Sequence, residues 1–239
     1  MLFVPGPDSR IEKWRRWLTE RVQPEVIGMN HMRRVYETVV EIIDRHGSLP
    51  ASSVFNFIQD TYVSTQSVAV RRQAETGERV VSIGRLLTEI SSEPERLTRE
   101  WYVSLHDEDD QRYANEGWEN SWFGGRGIDH VDPNAVLKDL DALEAASETV
   151  RRYVDRHVAH HDRDPAKGLP MTFAELNVAI DAIGDMFTRY AGLLTASHWV
   201  TLVPVVQYNW LAVFLEPWIK DDAVLFDIMS EHPVTKRRS

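Results

Sequence analysis

The chain has 239 residues, 43% of them hydrophobic, and a formal net charge of −10. That length suits one large domain or two small ones, and the acidic balance argues against a broad basic surface gripping nucleic acid while leaving room for a local basic groove. Cysteine is absent, which excludes a disulfide framework and a thiolate zinc site.

No apolar run reaches the roughly 18 residues a membrane span needs. Met1–Pro7 is too short and too poor in basic residues for a signal peptide. A soluble cytoplasmic protein is therefore expected.

The hydrophobic pattern is helical almost throughout. Ser9 followed by Glu12 reads as a capping box opening the run IEKWRRWLTERV. Its Trp14 and Trp17, beside Lys13, Arg15 and Arg16, suit an amphipathic helix burying its rings better than a nucleic-acid patch. Pro24 is expected to kink or break that helix. Helical spacing resumes through Val35, Val39, Ile42 and Ile43 and stops at Gly47. Pro50 opens the next helix, through Val54, Phe57, Ile58, Tyr62 and Val68 to about Glu75. Ser82 to Ile90 forms a shorter helix, and Glu95 to Leu105 is a further candidate.

His106 to Val131 is different. It is acidic, then aromatic, then glycine-rich, and reads as a long excursion with room for a short helix near Tyr113. Trp118, Trp122 and Phe123 should pin it to the helical body. Gly124, Gly125 and Gly127 follow no strand, so they do not make a phosphate-binding fingerprint.

Two long helices follow. Asp132 caps the first, with Pro133 in its first turn, and Val136, Leu140, Leu143, Ser147, Val150 and Val154 form its stripe. The second opens with the capping box Thr172–Glu175 and carries Phe173, Leu176, Ile180, Ile183, Phe187, Tyr190 and Leu194. The loop Arg163–Met171 is short enough to fold them into an antiparallel hairpin. Trp210, Phe214 and Trp218 repeat at four-residue steps, which suits core packing. The predicted class is all-α: an up-and-down helical bundle with an N-terminal helical elaboration, a single domain over 1–229, and a frayed tail at 230–239.

The stretch YVDRHVAHHDRD, from Tyr153 to Asp164, concentrates polar chemistry at the end of the first long helix. His157 and His161 continue the three-four stripe through Val150 and Val154, so a regular helix would turn them toward the core side. Basic residues at a helix C-terminus also favour its dipole, by about 0.3–1 kcal/mol, and that alone would account for a single histidine. Three histidines with Arg152, Arg156 and Asp162 offer more.

YVDRHVAHHD resembles the signature of the HEPN superfamily, helical nucleotide-binding and ribonuclease domains that carry an Arg and, four to six residues on, a His. The ending Ala159, His160, His161, Asp162 looks like the abortive-infection, AbiU-like branch. AVRRQ at Ala69–Gln73, IGRLLTEI at Ile83–Ile90, LPMTFAEL at Leu169–Leu176 and YNWLAVFLEPWI at Tyr208–Ile219 resemble successive pieces of that branch, in its order. One departure stands out. With Ala159–His160 aligned on the family's Ala-His, Val154 occupies the place of the Arg. Other registers restore it: Arg156 to His161, or Arg152 to His157.

The resemblance implies a metal-independent ribonuclease or toxin of phage defence, with no cofactor. Arg152, Arg156, His157, His160, His161 and Asp162 are its candidate catalytic residues, and Arg71 and Arg72 its phosphate contacts. Ion-paired solvent-edge positions are the competing reading for those last two. The resemblance also implies a homodimer, RNA as a partner, and an antitoxin or other defence-system partner. The chemistry is simple. RNA cleaves itself when its 2′-hydroxyl attacks the adjacent phosphate, a reaction served by a His titrating near neutrality and an Arg stabilising phosphorane charge. Two rivals remain. A degenerate motif would leave an inactive binding module. His157, His160, His161 and Asp162 also have helical spacing for a metal-dependent phosphohydrolase, although no partner motif supplies further ligands.

Overall fold

The computed structural model describes residues 9–46, 53–158 and 171–215. All regular elements among them are helical, and the only β-like contact is an isolated bridge between Thr98 and His130. No described helix is long and apolar enough to cross a membrane. The chain divides into two compact units, Met1–Val203 and Pro204–Ser239.

Helix α1 (Ser9–Trp17) passes through a π turn, Leu18–Val22, directly into α2 (Gln23–His46). Pro24 therefore does not break the helix, the second of the two outcomes expected there. The π turn bonds the Gln23 amide to the Leu18 carbonyl, five residues back. That wider ring takes up the crowding and the missing donor that proline brings to a helix. Trp14 is fully buried, as expected.

Helix α3 (Ser53–Gln73) packs on α2, and α4 (Ile83–Ser92) begins where the Ser82 hydroxyl accepts from the Arg85 amide. The predicted helix at Glu95–Leu105 proves to be a 3-10 turn, Pro94–Arg96, followed by α5 (Arg99–Ser104) under a Thr98 cap. The excursion contains α6 (Gln111–Asn120). Its aromatics do pin it down. Trp118 is fully buried and donates to the Ile128 carbonyl at 2.8 Å, while Trp122 meets Tyr190 edge-on at 5.0 Å.

Helices α7 (Pro133–Tyr153) and α8 (Phe173–Thr195) are the spine. They run antiparallel: Asp139 near the start of α7 meets Arg189 and Tyr190 near the end of α8. The α8 stripe is buried at Leu176, Ile180, Ile183, Phe187, Tyr190 and Leu194. At about 1.5–3 kcal/mol per large apolar side chain, that stripe anchors the bundle. Thr172 and Glu175 form the reciprocal capping box, and Ala196 closes the helix in the left-handed conformation. Ser147 fills its slot in the α7 stripe by donating to the Leu143 carbonyl at 2.8 Å, which satisfies its hydroxyl in the core.

In the second unit the described part is irregular chain with a 3-10 turn, Trp210–Phe214. Trp210 is half-buried and Phe214 exposed, so the expected core stripe is not met at Phe214. Trp218, the predicted boundary at 229 and the tail 230–239 lie outside the described residues.

Candidate functional site at the end of α7

Helix α7 ends in a second π turn, Val154–Val158. Val154 is buried and completes the apolar stripe, but Asp155, Arg156, His157 and Val158 are exposed. This corrects the expectation that His157 faces the core side. An i→i+5 turn rotates each residue through a smaller angle than an α turn, so the three-four rhythm slips after Val154 and His157 swings outward. Its ring lies 5.3 Å from that of Tyr153.

Helix α3 flanks this segment. It packs against both α7 and its π turn, so the last turn of α3 lies beside the candidate segment. The Arg71 Nε stands 2.9 Å from Asp155 Oδ1. The physical logic is local: a carboxylate near a helix C-terminus opposes the helix dipole, and a guanidinium beside it offsets that charge. Arg71 and Asp155 are 45% and 54% exposed, so the pair is open to solvent and to exchange with another anion.

Arg72, the next residue, turns elsewhere. It pairs with Glu25 of α2 at 2.6 Å, and Gln73 donates to the same carboxylate. The two arginines expected to act together are thus divided, Arg71 toward the π turn and Arg72 toward α2. Arg152 leans back along its own helix, 3.8 Å from Glu148. Arg156 makes no ion pair among the described residues. Arg156 and His157 are exposed on the π turn, and Arg71 is exposed at the end of α3, where it meets the same turn through Asp155. His160, His161 and Asp162 lie outside the described residues.

Asp155 is the participant that sequence reasoning passed over. It stands inside the stretch singled out above, yet nothing in its spacing signals that α3 packs beside it. Glu25, which takes Arg72, was equally silent.

Compared with known families, residues 11–209 match the model described as AbiU2, HEPN_AbiU2. No curated protein and no solved structure matches the chain.

Proposed function

The chain belongs to the AbiU2 family of HEPN proteins, matched over residues 11–209, and from that premise we propose that it acts in abortive infection as a metal-independent endoribonuclease. The observation that carries the reading is the packing of α3 against the π turn, which brings the Arg71 guanidinium to the segment bearing Arg156 and His157.

In the proposed reaction the 2′-oxygen of a nucleotide attacks its own 3′-phosphorus. A neutral imidazole takes the 2′-proton. The bond from phosphorus to the 5′-oxygen breaks, and an imidazolium protonates the leaving oxygen. The products are a 2′,3′-cyclic phosphate and a free 5′-hydroxyl. Guanidinium groups stabilise the extra charge on the phosphorane oxygens. Arg156 and Arg71 are the described candidates, His157 is the described imidazole, and His160 and His161 are those the motif adds. Because one reaction uses a base and an acid, two copies of the segment facing each other would supply both, which makes a homodimer part of the proposal. A defence-system partner that restrains the activity is the other part.

The test is cleavage of single-stranded RNA by the purified chain in EDTA. Cleavage is expected to persist, to leave cyclic-phosphate ends, and to be lost in Arg156→Ala and in His160→Ala or His161→Ala. Intact RNA across pH 6–9 would favour an inactive binding module. Activity that disappears with chelator and returns with zinc or manganese would favour a metal phosphohydrolase.

A further inference from the structure

A groove of about 730 Å³ opens where α2, α3 and the start of α8 meet. Its floor is three nearly parallel rings. Tyr36 and Tyr62 stack at 4.1 Å with 5° between their planes, and Phe173 lies 5.6 Å from Tyr36 at 14°. Tyr36 and Tyr62 are buried, whereas Phe173 is 40% exposed. Burial holds both phenols above their ordinary range, Tyr62 at about 12, so the floor is neutral and electron-rich rather than anionic.

The rim is acidic. Glu37, Glu41 and Asp44 follow one another along α2 and line the same groove. Among the described lining residues the one cation is Arg45, which is 2.5 Å from Glu41 and so already matched; Arg33, whose charge reaches Tyr62 in the floor, is likewise paired, with Asp181 at 2.5 Å. Glu37 and Asp44 are exposed and make no ion pair among the described residues. An aromatic floor attracts a cation to its ring faces, and unmatched carboxylates above it do the same. The same carboxylates repel phosphate. The charge pattern therefore selects against a nucleic-acid backbone and for a basic one.

We propose that this groove docks a basic segment of a protein partner, with an arginine head laid on the exposed Phe173 ring beneath the acidic rim of Glu37 and Asp44 and its apolar neighbours against Val40 and Tyr62. Arginine fits better than lysine because its planar guanidinium stacks on a ring face while its edge still donates to carboxylates. A short helix in the groove would supply such a head and an apolar stripe from one face. This gives a place and a chemistry to the partner in the functional reading. It is independent of whether the Arg–His turn cleaves RNA, because the groove assay reads neither Arg71 nor His157.

The test is fluorescence anisotropy with the full chain and a labelled helical peptide carrying one arginine among leucines and alanines. Counterparts with norleucine or glutamate at that position serve as comparisons. Saturable binding is expected for the arginine peptide, about tenfold weaker for norleucine and absent for glutamate. Binding should fall in the double variant Glu37→Gln/Asp44→Asn, whose side chains are exposed and whose thermal unfolding should match the parent. Phe173→Ala should weaken it separately. No binding, equal binding of the norleucine peptide, or unchanged binding in the double variant would overturn the proposal. So would displacement of the peptide by a single-stranded RNA oligonucleotide, which would reassign the groove to nucleic acid.

Discussion

Arg71 of α3 and Asp155 of the π turn face each other with Nε and Oδ1 at 2.9 Å, across a gap of 84 residues in sequence number (155 − 71). Because both are about half exposed, the pair contributes little to stability, on the order of 0–1 kcal/mol. Arg71→Ala should leave the unfolding midpoint nearly unchanged. It should nonetheless lower RNA cleavage about tenfold or more, if Arg71 stabilises phosphorane charge. Arg72→Ala, which removes the Glu25 ion pair instead and leaves Gln73 as that carboxylate's donor, should spare cleavage. Equal losses in the two variants would refute the division of labour between the arginines.

Assembly follows from the same chemistry. If each copy contributes a single imidazole, as base or as acid, the active species should be a twofold dimer, seen by light scattering as twice the chain mass. With a net charge of −10 on each chain, long-range forces oppose association, and the interface must rest on apolar area and local pairing. A monomer that cleaves RNA at full rate would remove the composite site.

Glu89 joins α1 to α4 inside the fold. Its carboxylate accepts from Lys13 at 2.8 and 3.0 Å, from Trp14 Nε1 at 2.9 Å and from Arg85 at 3.0 Å. Burial by itself pushes Glu89 up, but hydrogen bonds from Lys13, Trp14 and Arg85, with the charge of Lys13, outweigh it and hold the carboxyl below its ordinary value. Glu89→Ala leaves those donors without their acceptor and should cost about 3 kcal/mol in urea unfolding. A folded pKa lower than the unfolded one confers stability that is complete above the unfolded value of 4.5 and is lost as pH falls through the folded value. Glu89→Gln should therefore flatten the acid limb of the stability profile. An unaltered acid limb would show that Glu89 is not its source.

Asp139 behaves in the opposite sense. Burial pushes its carboxyl up, against the pull of Arg189 at 3.2 Å and the Tyr190 hydroxyl at 3.3 Å. A raised carboxyl confers stability that is complete below the unfolded value of 3.8 and is lost as pH rises through the folded one. Asp139→Asn should thus compare more favourably with the parent at pH 7 than at pH 4, read as the difference in melting temperature. A difference that does not change with pH would count against it.

Gly124 has no room for a side chain. A Cβ there would lie 2.6 Å from the Trp118 carbonyl and 2.8 Å from its indole nitrogen. Gly124→Ala should destabilise by about 1–3 kcal/mol through overpacking and loosen the excursion, reported by the fluorescence of the buried Trp118. Gly127 sits at φ 79° with open space around it, so alanine there meets backbone strain alone and should cost less. The reverse ranking would contradict the packing explanation.

The sequence by itself determined the helices and many of their ends, because those are short-range matters. Thr172 with Glu175, Ser82 and Asp132 satisfy amides within three residues of themselves, and the α8 stripe states which side is buried before any partner is known. The order of family-like segments was also readable, since order survives without coordinates. Tertiary structure alone decided what those helices bring together. Lys13 and Glu89 meet across 76 residues, and Arg71 meets Asp155 because α3 lies against α7, a choice no local spacing encodes. It also decided which way His157 points. Periodicity extrapolates only while the hydrogen-bond register holds, and the step to i→i+5 at Val154 broke that register where the candidate chemistry begins.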